Sequence, residues 1–380
     1  MLDYEMLRLI WWVLVVVLLI GFAVTDGFDM GVGALLPFIG KTDNERRVMI
    51  NTIAPHWDGN QVWLLTAGGA LFAAWPMVYS ASFSGFYVAM VLTLFALFFR
   101  PIGFDYRSKI EDPRWRTAWD WGLFIGGFVP PVVFGVAFGN LFLGVPFYYD
   151  EWMRNYYDGG FFGLLAHPFP LMAGLLSFAM LTLHGATWLQ MKTEGALLER
   201  SRKMSMIFAA ASLLLFVLAG VFQYAFIDGY VITSAIDTNA ASNPLTKTVE
   251  LQAGAWWRNF HHYPALFILP TLAVLMPLVV MFATKAKRYG LAFFASALNI
   301  VGVITTAVVA LFPFVMPSSK SPNQSLTMWD ATSSELTLKV MLAAAVIFVP
   351  LILAYTTWCY VKMWGRISEQ HIEQNSTSLY

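Results

Sequence analysis

A small set of side chains with proton and charge chemistry interrupts otherwise apolar sequence. They are Asp26 and Asp29 in "GFAVTDGFDMGVG", His56 and Asp58 in "APHWDGNQVW", Arg100 in "FFRPIGFDY", Asp120 in "TAWDWGLF" and His184 in "LTLHGATW". Asp26 and Asp29 are three residues apart, so a helix presents both on one face. Carboxylates buried in apolar surroundings have raised pKa values and suit proton relay, and a guanidinium can instead lock them as ion pairs. Asp26, Asp29 and Arg100 therefore read equally as a clamp between helices and as part of a proton path. Asp58 reads more naturally as a path residue, and Trp57 and Trp63 as interface packing.

The elements that must position these groups are membrane helices. The chain has 380 residues, 58% apolar and only 12% charged, against about a quarter charged in soluble domains. Apolar runs long enough to cross a core of about 30 Å recur along nearly the whole length. Nine spans are predicted, at approximately 7–36, 52–75, 79–100, 118–142, 168–190, 206–227, 264–284, 291–313 and 336–364. An all-α polytopic membrane protein follows, because helices satisfy their own backbone in lipid. The N-terminal "MLDYEMLRLIWW" lacks the basic flank and cleavage site of a signal peptide, so the first span is expected to remain in the mature protein.

Loop charge sets the expected orientation. Seventeen of the twenty-three Lys and Arg residues fall after odd-numbered spans or in the tail, which places the tail in the cytoplasm and the N-terminus outside. The long external connections include Asp228 to His262 and a stretch ending in Thr332-x-x-Glu335, a capping-box pattern. Trp152, Tyr156, Tyr157, Trp256 and Trp257 read as an interfacial aromatic belt. On this topology Asp26, Asp29, the first turns of the second helix, Arg100 and Asp120 converge on one inner layer. Two helix-centre charges cost about 5 to 7 kcal/mol to insert, and the twelve Leu, Ile, Val and Phe residues from Leu9 to Val24 offset about 4 to 7. The carboxylates should thus face protein, with Arg100 as partner, and Gly27 and Gly31 at GxxxG spacing should admit a neighbouring helix closely.

Several function classes lack any signature. A net charge of zero suggests no nucleic-acid partner, and no Walker loop, dinucleotide fingerprint, GxSxG or helical metal-ligand pair is present. Cys359 is the single cysteine and forms no CxxC motif. His56 and His184 are the two histidines within spans. Bis-imidazole haem ligation between their helices competes with the plainer reading of hydrogen-bonded core histidines.

Taken together, "GFAVTDGFDMGVG", "APHWDGNQVWLLTAGGALFAAWP", "SGFYVAM", "FFRPIGFDYRSKI", "PPVVFGVAFGN", "FPFVMPSS" and "LTMWDATSSELTL" resemble subunit II of cytochrome bd-type ubiquinol oxidases of the bacterial cytoplasmic membrane. The resemblance runs to the final "SLY" and is dense before residue 140 and after 310. It implies two four-helix bundles, 7–142 and 168–313, a ninth helix at 336–364 and a cytoplasmic tail at 365–380. It also implies a heterodimer with a subunit I that ligates two haems b and one haem d and holds the main quinol site, often joined by a small single-helix accessory subunit. The complex would oxidise quinol outside, reduce dioxygen to water and draw protons from the cytoplasm without pumping. Within this chain it assigns Asp58 as a relay carboxylate at the subunit boundary, with Tyr380 near its entrance. Asp26, Asp29, Arg100 and Asp120 become a buried polar cluster beside His56 and Trp57. A structural ubiquinone in this subunit is compatible with the resemblance, and ligation by His56 or His184 is disfavoured. A proton-coupled secondary transporter is the rival from another class.

Overall fold

A computed structural model describes residues 3–374 and 379–380. Its helices run in the order α1 (Tyr4–Ile39), α2 (Asp43–Ile53), α3 (Trp57–Ala74), α4 (Pro76–Gly85), α5 (Tyr87–Tyr106), α6 (Pro113–Leu143), α7 (Gly160–Gly163) and α8 (Pro168–Lys192). There follow α9 (Gly195–Phe226), α10 (Arg258–His262), α11 (Ile268–Lys285), α12 (Tyr289–Leu311), α13 (Glu335–Lys362) and α14 (Glu369–Gln374). Among the described residues, eight helical stretches are long and apolar enough to cross a bilayer: α1, α5, α6, α8, α9, α11, α12 and α13, with short 3-10 turns extending α5 and α11. The predicted fold class therefore holds.

α3 lacks the apolar length of the others. It has 18 residues, about 27 Å at 1.5 Å per residue, and opens with Asp58, Asn60 and Gln61. Its ends nevertheless lie at different depths along α1. Asn60 bonds to Asp29 near one end, and the carbonyl of Ala74 accepts from the amide of Ser333, whose own carbonyl accepts from Tyr4 at the other.

Four predicted spans are corrected in outline, the sixth because α9 starts at Gly195, well before Met206. The stretch from Thr52 to Trp75 is two helices, because α2 ends at Ile53 and α3 begins only at Trp57. Pro55 brings no N–H to continue the ladder, while a capping box of Thr42 and Glu45 starts α2 as a separate helix. The stretch from Tyr79 to Arg100 is broken at Phe86 into α4 and α5, and α5 carries on through Pro101 to Tyr106. The fourth span starts earlier than Ala118, at Pro113, where proline suits the first helical position and Asp112 accepts from the amide of Arg114. The proposed cap at Thr332 is also wrong. Ser334 caps α13 by accepting from the amide of Thr337, and Thr332 is instead taken up by Arg8 and Tyr4.

Packing is densest around α1, α6 and α8, with α3 and α5 on one flank and α9, α11 and α12 on the other. Close helix approach requires glycine here. A Cβ on Gly31 would stand 2.2 Å from the carbonyl oxygen of Leu181 in α8, and one on Gly127 would stand 2.3 Å from that of Met30 in α1. α13 is the least embedded, and most of its large apolar side chains are exposed.

Three two-stranded antiparallel sheets form the connections at the Tyr4 end of α1. They pair β1 (Phe147–Tyr149) with β2 (Asn155–Tyr157), β3 (Gly229–Ile232) with β4 (Val249–Gln252), and β5 (Phe314–Met316) with β6 (Leu326–Thr327). Arg8 fastens the β3–β4 connection and the segment after β6 to α1 by donating to Thr332, to the carbonyls of Thr238 and Ala240, and to Ser242. Trp256 does not belong to a surface belt, since it is buried against Tyr230, Phe142 and Phe314.

Candidate functional site

Four helices meet at the first charge cluster. α1 brings Asp26 and Asp29, α5 brings Arg100, α3 brings Asn60 and α13 brings Tyr360. Arg100 forks onto Asp26, donating from Nη1 to Oδ2 at 2.8 Å and from Nη2 to Oδ1 at 2.6 Å. Asp29 lies further off, with Oδ2 3.7 Å from Nη2 of the same guanidinium. Asn60 Nδ2 donates to Asp29 Oδ2 at 2.8 Å, and the Tyr360 hydroxyl donates to Asn60 Oδ1 at 2.6 Å. All three charged groups are buried. Bidentate geometry fits a guanidinium to a carboxylate and holds both in one orientation. The predicted pairing of Arg100 is present. Asn60 was noted in the sequence only as one of several polar residues, and Tyr360 carried no signal beyond a tyrosine near the end of an apolar run.

Asp120 belongs elsewhere. Instead of joining Asp26 and Asp29, it sits on α6 between Arg107, which donates from Nε at 2.5 Å, and Arg46 of α2 at 2.7 Å. Asp43 extends this second network through Arg107 at 2.9 Å and Arg116 at 2.6 Å. The single inner layer expected from the sequence is thus two networks, one within the helix packing and one tying the surface helix α2 to the ends of α5 and α6.

Asp58 also departs from the buried cluster. It is exposed, and Asn60 two positions on is buried, as expected for residues about 200° apart around a helix. Asp58, Leu65 and Phe72 recur at seven-residue spacing on the outward face of α3, with Leu65 71% and Phe72 60% exposed. A carboxylate therefore heads an apolar stripe that this chain leaves uncovered. Trp57 is half-buried against Phe104. His56 is buried and its ring stacks on Tyr360 at 4.4 Å.

Tyr380 is anchored through its main chain. Its amide donates to Asn51 Oδ1 at 3.1 Å, and its main-chain oxygen accepts from Asn51 Nδ2 at 2.8 Å and Arg47 Nε at 3.2 Å. Both partners lie on α2, three residues or more before the turn that leads to His56 and Asp58.

His184 does not suit haem ligation. His184 Nδ1 is bonded to Ser296 at 2.7 Å, its Nε2 to the carbonyl of Val24 at 2.9 Å, and its ring stacks on Phe293 at 4.5 Å. Both nitrogens are occupied inside a packed core, which fits the core-histidine reading. Among the described residues no cluster of three His, Cys, Asp or Glu side chains could hold a metal ion.

A polytopic helical membrane protein with ion networks locked between its helices is the class that this fold and site define. The chain matches the family described as "Cytochrome bd terminal oxidase subunit II" over residues 7–363, and it belongs to that family. It is 62% identical to "Probable cytochrome oxidase subunit 2" of Haemophilus influenzae and 61% identical to "Cytochrome bd-I ubiquinol oxidase subunit 2" of Escherichia coli, in each case over 380 residues covering 100% of both chains. A relative from Bacillus subtilis, "Cytochrome bd ubiquinol oxidase subunit 2", is 32% identical over 95% of this chain and 97% of its own length. Among solved structures, a chain of the bd oxidase from Geobacillus thermodenitrificans superposes with a TM-score of 0.67 at 15% identity, covering 94% of this chain and 98% of that one. At that identity the likeness speaks for the fold.

Proposed function

We propose that this chain is subunit II of a quinol oxidase that couples quinol oxidation to reduction of dioxygen to water, with ubiquinol as the quinol named for its Escherichia coli relative. The full-length identity to that relative carries the reading, and nothing in the comparisons favours a solute transporter. The partner is a subunit I that ligates two haems b and one haem d. His184 is already bonded at both nitrogens and does not fit as a ligand, which supports placing the haems on the partner. A small accessory subunit, surrounding lipid and a structural ubiquinone remain part of the proposed assembly.

The same reading counts α3 as one of nine spans, since its two ends lie at different depths along α1. It arranges the spans as a bundle over 7–142, a second over 168–313 and a peripheral helix at 336–364. The clustering of positive charge near α2, the start of α6 and the tail supports a cytoplasmic position for that side of the bacterial inner membrane. The external position of the N-terminus follows.

In this assembly Asp58 is a proton-relay carboxylate at the subunit boundary. Its exposure at the head of the Leu65 and Phe72 stripe supports this, because a second helical subunit covering the stripe would enclose the carboxylate without unfolding anything in this chain. Tyr380, pinned to α2, sits beside the approach to that helix start. Reduction of dioxygen consumes protons, and an ionisable side chain near inner-leaflet water can pass them inward. Asp26, Asp29, Arg100 and Asp120 keep the helices in place around it. The test is Asp58→Asn in the assembled complex, which should slow quinol-driven oxygen uptake several-fold more than it reduces haem content. Loss of haem in step with uptake would assign Asp58 to assembly instead.

A further inference from the structure

Asp29 is a buried acid that the charge around it does not balance. Arg100 places one donor on each oxygen of Asp26 and stands 3.7 Å from Asp29. Asn60 satisfies Asp29 Oδ2, and Asp29 Oδ1 has no partner among the described residues. The other titratable groups nearby do not help. His184 of α8 is committed to Ser296 and Val24, His56 lies flat on the Tyr360 ring, and Lys192 donates to the carbonyl of Met363 between the rings of Trp188 and Trp364. One guanidinium thus faces two carboxylates.

A buried carboxylate oxygen without a donor is destabilising. One proton on Asp29 Oδ1 removes both the surplus charge and the unsatisfied acceptor. The amide fixes which oxygen is left without a donor. Tyr360 holds Asn60 Oδ1, so Asn60 must present its NH2 to the other Asp29 oxygen.

A cleft borders the cluster on the α13 side. A cleft of about 550 Å³ opens between α1, α3 and α13, with Thr25, Trp63, Thr356, Thr357 and Tyr360 in its wall. Thr25 lies four residues before Asp29 and so on the same face of α1. Protonation takes one proton from water, and no other bond is made or broken.

We propose that Asp29 is a proton-binding site, a neutral carboxylic acid held between the Arg100–Asp26 pair and an Asn60–Tyr360 latch that joins α3 to α13. It rests on the oxidase reading only for the complex that is measured. Infrared spectra of the assembled complex in H2O and D2O read it directly, because a protonated carboxyl has a carbonyl stretch where ionised carboxylates do not absorb. The expected result is one acid band that shifts in D2O, disappears in Asp29→Asn, persists in Asp58→Asn and moves in Tyr360→Phe. An identical acid region in the native complex and Asp29→Asn overturns the proposal. If Asp29→Asn fails to assemble, Tyr360→Phe carries the test, and an acid region unchanged by that variant overturns it equally. Oxygen uptake by Asp58→Asn is measured separately, so failure of the relay reading and failure of this one are distinguishable.

Discussion

Arg100 decides whether Asp26 can be buried at all. Its fork occupies both oxygens of one carboxylate at 2.6 and 2.8 Å, and removing one member of a buried pair strands the other at a cost of about 3–5 kcal/mol. Arg100→Ala is therefore expected to assemble poorly, read as a large fall in the yield of haem-containing complex. Arg100→Lys should recover only part of it, since an ammonium cannot make two parallel bonds to one carboxylate. Normal yield of a stable, active Arg100→Ala complex would refute the pairing. The Asp26, Asp29 and Arg100 association was legible in sequence because burying charge demands a counter-charge, and Arg100 was the cation at the right depth. The Tyr360 and Asn60 link was not, because 300 residues separate its members and neither carries charge.

At the scale of elements, α2 is the unexpected part and also a testable one. Glu45 joins this helix to α9 through Arg200, and its carboxylate also accepts from the amides of Lys41 and Thr42. Burial pushes the Glu45 carboxyl up, but the hydrogen bonds from Lys41, Arg200 and Thr42 prevail and hold it below the usual carboxylate range. A group depressed in the folded state stabilises fully above its unfolded pKa, and that contribution is lost as pH falls through the folded value. Glu45→Gln should therefore lower stability by about 1 kcal/mol near neutral pH. The difference from the native complex should shrink on acidification, followed by thermal unfolding across that range. A difference independent of pH would show that packing, and not charge, carries the contact. The tail adds to the same surface: Ile372 is buried, Glu373 accepts from Asn44, and Ile367 bonds to the carbonyl of Lys192. Apolar length left α2 outside any span because its residues are largely polar, and the second span took in only its last two, Thr52 and Ile53, with Pro55 as the one mark of the break.

Across the whole molecule, the bundle is held at closely spaced backbones. Gly31 meets Leu181 and Gly185 of α8, and Gly127 meets Met30 and Ala34 of α1. Gly31→Ala would force α1 and α8 apart, and overpacking of this kind typically costs about 1–3 kcal/mol. Low recovery of monodisperse complex is expected, whereas Gly290→Ala, where nothing lies within 4 Å, should behave as native. Equal recovery of the two variants would mean that the α1–α8 crossing tolerates separation. The amino-acid sequence by itself determined that the chain is a membrane protein, which runs form helices and to which family it belongs. Apolar length, loop charge and long motif strings are local properties, readable without knowing what lies beside them. Tertiary structure alone decided that Asp120 leaves the Asp26 cluster for Arg46 and Arg107, that Asp58 faces outward and that Tyr360 reaches Asn60. A helix's period fixes which residues share a face, but which way each face points depends on the rotation and neighbours that packing imposes.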